Sequence, residues 1–293
     1  ATYLSATCPV VVAPAMDEDM WHHASTRDNF RRLETFGNIV IPVEKGELAS
    51  GLYGDGRMAE PEQIVHFLQN NFFVSRPLSG KKALVTAGPT YEAIDPVRFI
   101  GNHSSGKMGI AIAKELYRRG AEVTLILGPV STDFSANGIH VSRVTSANEM
   151  YENCHKLFGQ MDLAVMAAAV ADYRPALKAE QKIKKKEESF HLELTRTKDI
   201  LGSLGEKKKA GQVLVGFALE TFDEKQHALE KLKKKNADMI VLNSLNDPGA
   251  GFGHDTNKVT IFQKEGTEIQ FDIKSKDEVA KDIVDTIISS YYA

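Results

Sequence analysis

The chain has 293 residues, with 36 Lys and Arg against 39 Asp and Glu and a formal net charge of −3. That length suffices for one large domain or two ordinary ones, and 42% hydrophobic with 26% charged residues excludes a disordered or collagen-like chain. Near-neutral charge gives no whole-molecule field for nucleic acid or an anionic membrane, so any anion site must be a local cluster.

Two cysteines, Cys8 and Cys154, cannot build a disulfide framework and point to a reducing, cytoplasmic compartment. No apolar run approaches the ~20 residues of a membrane span, and no basic n-region opens the chain. The start lacks Met and enters almost at once on the apolar run Cys8–Ala13, so a fragment is expected.

Val10–Ala13 reads as a buried strand ended by Pro14. Ser25–Phe36 has helical spacing, with Phe30, Leu33 and Phe36 on one face. Asn38–Pro42 reads as a strand, Val43–Arg57 as a glycine- and charge-rich loop, and Glu62–Phe73 as a helix. The polar stretch Val74–Gly80, broken by Pro77, is the expected boundary between domains at 1–78 and 79–293.

Beyond it the pattern becomes regular. Strands are expected at Lys82–Ala87, Glu122–Leu127, Ile139–Val144, Met161–Ala167, Phe190–Leu194, Val213–Ala218 and Asp238–Leu242. Helices are expected at Lys107–Arg119, Ala147–Phe158, Lys198–Leu204, Asp223–Lys235 and Asp277–Ile288. Val259–Phe262 and Glu268–Phe271 suit a hairpin through Gly266. Strands alternating with helices predict an α/β fold, a parallel sheet covered on both faces. Ligands then sit beyond the carboxyl ends of the strands.

Between Ala87 and Lys107 lie about twenty residues, against the usual 2–6 for such a connection. Ser104-Ser-Gly-Lys107 falls where a helix should open, and free N–H groups, two hydroxyls and an ammonium there make an anion site. A serine N-cap followed by an exposed lysine explains it equally well. Arg98 offers a planar fork for phosphate or carboxylate, and Asn102 hydrogen-bonds without changing charge; alternatively both tie the loop to itself. Asp172, after the small residues Ala167–Ala171, suits a base, a ribose hydroxyl or a metal, or else a helix cap.

Lys178–Lys186 packs five lysines into nine residues, either a solvated face or a mobile loop closing on a triphosphate. Few aromatics interleave with the basic residues, which argues against nucleic acid. Lys231 and Lys235 share a helix face and also suit a helix C-terminus.

Three segments in order, Asp95–Gly109, Ala167–Tyr173 with Lys182-Ile-Lys-Lys185, and Val215-Gly-Phe-Ala218, resemble the ligase half of the bacterial bifunctional phosphopantothenoylcysteine decarboxylase/phosphopantothenate–cysteine ligase family. Pro14–Trp21, and Gly46–Gly51 through Met58, resemble the end of its decarboxylase half, with Asp17 and Ser50 where the family pattern has Asn and a proton-donating Cys. A hydroxyl is the poorer donor, so no decarboxylation is expected from this chain alone.

The resemblance implies a Rossmann-like ligase domain preceded by part of a flavodoxin-like flavoprotein segment. It implies CTP-dependent joining of 4'-phosphopantothenate to cysteine through an acyl-cytidylate in coenzyme A synthesis. It assigns catalysis to Asn102, Lys182 and Arg98. Nucleotide binding falls to Met166, Ala167, Ala168, Asp172, Lys182, Lys198, Asp199, Ile200, Leu201, Phe217, Lys231 and Lys235. The family usually has proline where Lys198 stands. Ser104, Ser105, Gly106 and Lys107 remain the candidate phosphate or substrate cradle. Mg²⁺ is expected to ride on CTP without a protein-only cage, FMN belongs to the full-length decarboxylase half, and a homodimer through the ligase domain is implied. The alternatives are an NAD(P)-linked oxidoreductase, although Thr86–Thr90 does not supply G-x-G-x-x-G, and a non-catalytic binding subunit.

Overall fold

The structure, a computed structural model, describes residues 3–73, 76–131, 134–136, 138–184, 190–220, 222–244 and 255–292. Two compact units divide the chain, Ala1–Ser75 and Arg76–Ala293.

In the smaller unit, Val11–Val12 pairs in parallel with Ile39–Val40, and the helix Ala24–Thr35 connects them. The helix Pro61–Phe72 starts with a capping box between Glu60 and Gln63. The segment expected to be a loop, Val43–Arg57, contains an antiparallel hairpin of Glu44–Glu47 and Tyr53–Arg57. Gly51 serves the turn at φ +80°, whereas Gly54 and Gly56 on the second strand mark close packing. A Cβ at Gly56 would lie 2.2 Å from the Met16 carbonyl oxygen, so the strand has no apolar alternation for a reader of sequence to find.

In the larger unit eight strands form one sheet: β1 Lys82–Ala87, β2 Glu122–Leu127, β3 Ile139–Arg143, β4 Leu163–Met166, β5 Val213–Glu220, β6 Met239–Ser244, β7 Val259–Gln263 and β8 Glu268–Gln270. The order across it is β8-β7-β6-β5-β4-β1-β2-β3. The pairs from β3 to β6 are parallel, while β7 and β8 add as the expected antiparallel hairpin. The helices are α1 Lys107–Arg118, α2 Ala147–Phe158, α3 Ile200–Lys207, α4 Glu224–Lys234 and α5 Lys276–Tyr291.

Side chains on β1 alternate between two cores, as strand geometry requires. Ala83, Val85 and Ala87 pack with Ile112 and Leu116 of α1 and Ile283 and Ile287 of α5. Leu84 packs with Met150 and Phe158 of α2 and Leu204 of α3. Cys154 is in that second core, and burial pushes its thiol up to about 12, which leaves it a packing residue.

Two expectations on the long connections change. The stretch after Ala87 holds a hairpin, Tyr91–Ala93 with Phe99–Gly101, whose Tyr91 and Phe99 rings stack at 3.9 Å. The strand expected at Phe190–Leu194 is Leu194–Arg196, paired with Tyr173–Pro175. Pairing partner, not apolar content, sets its register. Lys185 and Lys186 of the lysine run lie outside the described residues.

Candidate active site at the sheet switch point

Between β1 and β4 the strand order reverses direction, and in such sheets a crevice opens there beyond the carboxyl ends. Backbone hydrogen bonds lace the two following loops together. Ala168 N–H donates to Thr86 Oγ1 at 3.2 Å, Ala169 N–H to the Gly88 carbonyl at 2.9 Å, and Ala171 N–H to Thr90 Oγ1 at 3.0 Å. The small residues Ala167–Ala171 allow this approach.

A crevice of about 660 Å³ opens beside them. It brings together Met166, Ala168, Asp172, Lys198, Asp199, Ile200, Leu201, Phe217, Lys231 and Lys235 from four separate stretches of chain. Ala167 points elsewhere, as alternation beyond a strand end dictates, into the neighbouring pocket at the start of α1. Phe217 on β5 lines both cavities.

The rim of the crevice is cationic. Lys198 sits 4.6 Å above the Tyr151 ring. Asp199 is the N-cap of α3, accepting from Gly202 N–H at 3.0 Å and from the Lys235 ammonium. That cap is why α3 begins at Ile200 and not at Lys198. Burial alone would raise the Asp199 carboxyl, but the Lys235 and Gly202 hydrogen bonds outweigh it and hold it below the usual range. Asp172 is exposed, and the described residues give its carboxylate no hydrogen-bond partner.

The second pocket, of about 50 Å³, is lined by Ser104, Ser105, Gly106 and Lys107 with Asn243, Asn257 and Lys276. A serine N-cap is not what opens α1. Gly106 holds that position at φ +75°, and Ser104 Oγ accepts from its N–H at 3.3 Å. A side chain at Gly106 would meet Val130 at 2.7 Å as well as the left-handed backbone. The end of α1 therefore stays bare toward the pocket. Lys107 pairs with Asp255 at 2.5 Å. Lys276, the first residue of α5, is buried, and burial lowers its ammonium, with Lys107 adding to the effect and Asp255 opposing it.

Arg98, Asn102 and Lys182 do not line either cavity. Asn102 Nδ2 donates to the carbonyls of Ala169 and Val170 at 3.1 and 3.2 Å, beside the crevice wall. Arg98 binds Asp95 and the Ile183 carbonyl. Of the two uses open to it from sequence, the structure shows the one that ties the loop. Lys182 is exposed on the segment that ends in this contact.

Several lining residues were not singled out from sequence: Thr86, Arg196, Thr197 and Lys234 in the crevice, and Asn243, Asn257 and Lys276 in the pocket. Lys234 stands in sequence between the two lysines singled out there, Lys231 and Lys235. Lys276 gave none, since a lysine at the start of a helix is ordinary.

In the smaller unit, Ser50 Oγ donates to Asp17 Oδ1 at 2.6 Å. The described residues also hold one group suited to a metal, Glu18, His22 and Asp55. Arg27 engages Nδ1 of His22 at 3.0 Å, leaving Nε2 toward Asp55; that arginine competes with a cation. No helix among the described residues is long and apolar enough to cross a membrane.

The sequence profile described as DNA/pantothenate metabolism flavoprotein C-terminal domain matches residues 78–291, and the flavoprotein profile matches residues 1–73. The chain belongs to this family. It is 46% identical over 288 residues to the coenzyme A biosynthesis bifunctional protein CoaBC of Bacillus subtilis (strain 168), covering 98% of this chain and 71% of that protein. It is also 51% identical over 292 residues to a protein named cysteine/cysteine sulfinic acid decarboxylase from an unknown prokaryotic organism, covering 98% of this chain and 81% of that one. The crystal structure of the C-terminal domain of a CoaBC protein matches with a TM-score of 0.62 and 42% identity, over 73% of this chain and 96% of that chain. The mostly parallel, helix-covered sheet expected from sequence is thus the fold of this family's C-terminal domain.

Proposed function

We propose that the larger unit is a CTP-dependent phosphopantothenate–cysteine ligase of coenzyme A synthesis. One observation carries the reading. Two cavities share the Phe217 wall; one has the volume of a nucleotide site and a lysine-rich rim, the other sits on a bare helix N-terminus beside Lys107 and Lys276. That arrangement supports a reading in which two anionic substrates meet end to end.

The chemistry follows from the charges. A free carboxylate is a poor acyl donor because oxide would have to leave. Its oxygen attacks the α-phosphorus of CTP, pyrophosphate leaves, and an acyl-cytidylate forms. The amine of cysteine then attacks the acyl carbon, the amide forms and CMP leaves. Lys198, Lys231, Lys234 and Lys235 offset the repulsion of triphosphate and acid. Lys182, on the strap of residues 177–184, meets charge developing at the α-phosphate. Asn102, fixed by two carbonyls, stands beside the Ala169–Val170 wall to orient the second attack. The crevice carboxylates are Asp172 and Asp199, the latter spent on Lys235, so Mg²⁺ fits as a companion of the triphosphate.

Pyrophosphate release from CTP, Mg²⁺, 4'-phosphopantothenate and cysteine tests the reading. A first turnover that needs CTP, Mg²⁺ and 4'-phosphopantothenate, followed by steady release that also needs cysteine and is coupled to amide formation, is expected; release no faster than in the blank would overturn it. NADPH is expected to leave protein fluorescence unchanged, against the oxidoreductase alternative. A cytoplasmic location accords with these substrates.

The second copy of the chain has a surface to meet. Val97, Phe99, Leu177 and Phe190 are 60%, 51%, 87% and 57% exposed, and large apolar side chains left in water suit a contact between copies. Sedimentation equilibrium is expected to give twice the chain mass; a monomer at micromolar concentration would exclude the homodimer.

The smaller unit has a different chemistry. Its parallel sheet has two strands of two residues, too little to form the crevice in which such sheets hold a mononucleotide. The described residues of this unit therefore do not build a site that fits the FMN of the full-length family. Ser50 spends its proton on Asp17. The same assay is expected to release no carbon dioxide from the ligated product, from cysteine or from cysteine sulfinic acid.

A further inference from the structure

Asp95 is a carboxylate with no exposed side-chain surface. One oxygen accepts from Val97 N–H and Arg98 N–H, both at 2.8 Å. The other accepts from Arg98 Nε at 3.0 Å, Arg98 Nη2 at 2.5 Å and Ile183 N–H at 3.1 Å. Arg98 Nη2 also donates to the Ile183 carbonyl at 3.0 Å. One residue of the strap, Ile183, is thus held by both its N–H and its C=O. A second tie, Ala179 N–H to the Ile94 carbonyl at 2.9 Å, fixes the strap four residues earlier. Lys182 and Lys184 flank the gripped residue and are themselves exposed.

We propose that Asp95 and Arg98 are positioning residues, a clamp on the Ile183 peptide that sets where Lys182 stands, and that Arg98 does not itself bind the substrate anion. The inference rests on the ligase reading for the role of Lys182, but the clamp can be tested without it. Asp95 cannot be replaced by its amide. Asn would present an NH₂ either to Ile183 N–H and the guanidinium or, flipped, to the Val97 and Arg98 N–H groups, where a lone pair is required in both cases. Lysine cannot replace Arg98 either, because an ammonium lacks the fork that reaches a carboxylate and a carbonyl at once. The Arg98 hydrogen bonds, against the opposing effect of burial, hold the Asp95 carboxyl well below its usual range, so the clamp stays charged at any pH where the protein is assayed.

Two readouts separate this clamp from an anion-binding arginine. In Asp95→Asn and Arg98→Lys, kcat for pyrophosphate release should fall about tenfold or more through misplacement of Lys182, with KM for 4'-phosphopantothenate unchanged. A raised KM with kcat retained would instead make Arg98 a substrate ligand and overturn the clamp. Hydrogen exchange of the peptide containing Ile183 should quicken in both variants while a β1 peptide stays protected, and equal exchange in variant and parent would also overturn it. Arg98 is 43% exposed at its side chain, so Arg98→Lys serves where Asp95→Asn does not fold. Absent pyrophosphate release in the parent protein removes the ligase reading, and the exchange experiment still decides the clamp.

Discussion

Lys182→Ala is expected to lower pyrophosphate release by about 10²–10³-fold, the scale of removing one preorganised charge or donor at a transition state. The carboxylate of one anion must approach the α-phosphate of another, and negative charge accumulates on the α-phosphate oxygens as the new bond forms. A cation held on a segment that Asp95 and Arg98 grip meets that charge as it appears, without having to bind CTP tightly beforehand. CTP binding should therefore change little, because Lys198, Lys231, Lys234 and Lys235 line the crevice separately. Rapid-quench measurement of pyrophosphate and intermediate checks this. Release at the parent rate would show that Lys182 is one of the surface lysines that sequence alone also allowed.

Asn102→Ala should act on the other half of the reaction. Pyrophosphate release is expected to continue through a single turnover, while amide formation falls about hundredfold, a typical cost for losing an oriented polar group. The two bonds from Nδ2 to the Ala169 and Val170 carbonyls aim Oδ1 away from them. Oδ1 can then accept a hydrogen bond from an attacking amine. Asn102→Asp should be no better, since a carboxylate would face two carbonyl oxygens in place of a donor. Trapping the acyl-cytidylate and following its decay against cysteine concentration measures the step. Equal loss of both halves would remove this role from Asn102.

These expectations combine two kinds of information. Asn102 and Lys182 come to notice in sequence because they stand in segments dense with groups that bind anions, and because those segments resemble a ligase family. Their partners do not. Asp95 stands in the first of those segments with no role of its own, and Lys276 precedes the expected helix Asp277–Ile288 without notice. Each gains meaning from a residue far along the chain: Asp95 from Ile183, 88 positions away, and Lys276 from its place beside the bare end of α1. The hairpin at Glu44–Glu47 and Tyr53–Arg57 was hidden for a related reason. Two of its glycines, Gly54 and Gly56, are there for a close neighbour, Glu18 and the Met16 carbonyl, and not for local flexibility.

The alternation of apolar strands and helices determined the layered sheet, because hydrophobic burial and backbone pairing are both written in local periodicity. Composition likewise determined that anion binding must be local. What folding alone decided is the meeting of β1 and β4 at the reversal of strand order, which gathers four distant stretches around one crevice, and the grip of Asp95 and Arg98 on Ile183. Contacts between residues remote in sequence depend on how elements pack and cross over, and no single segment encodes that.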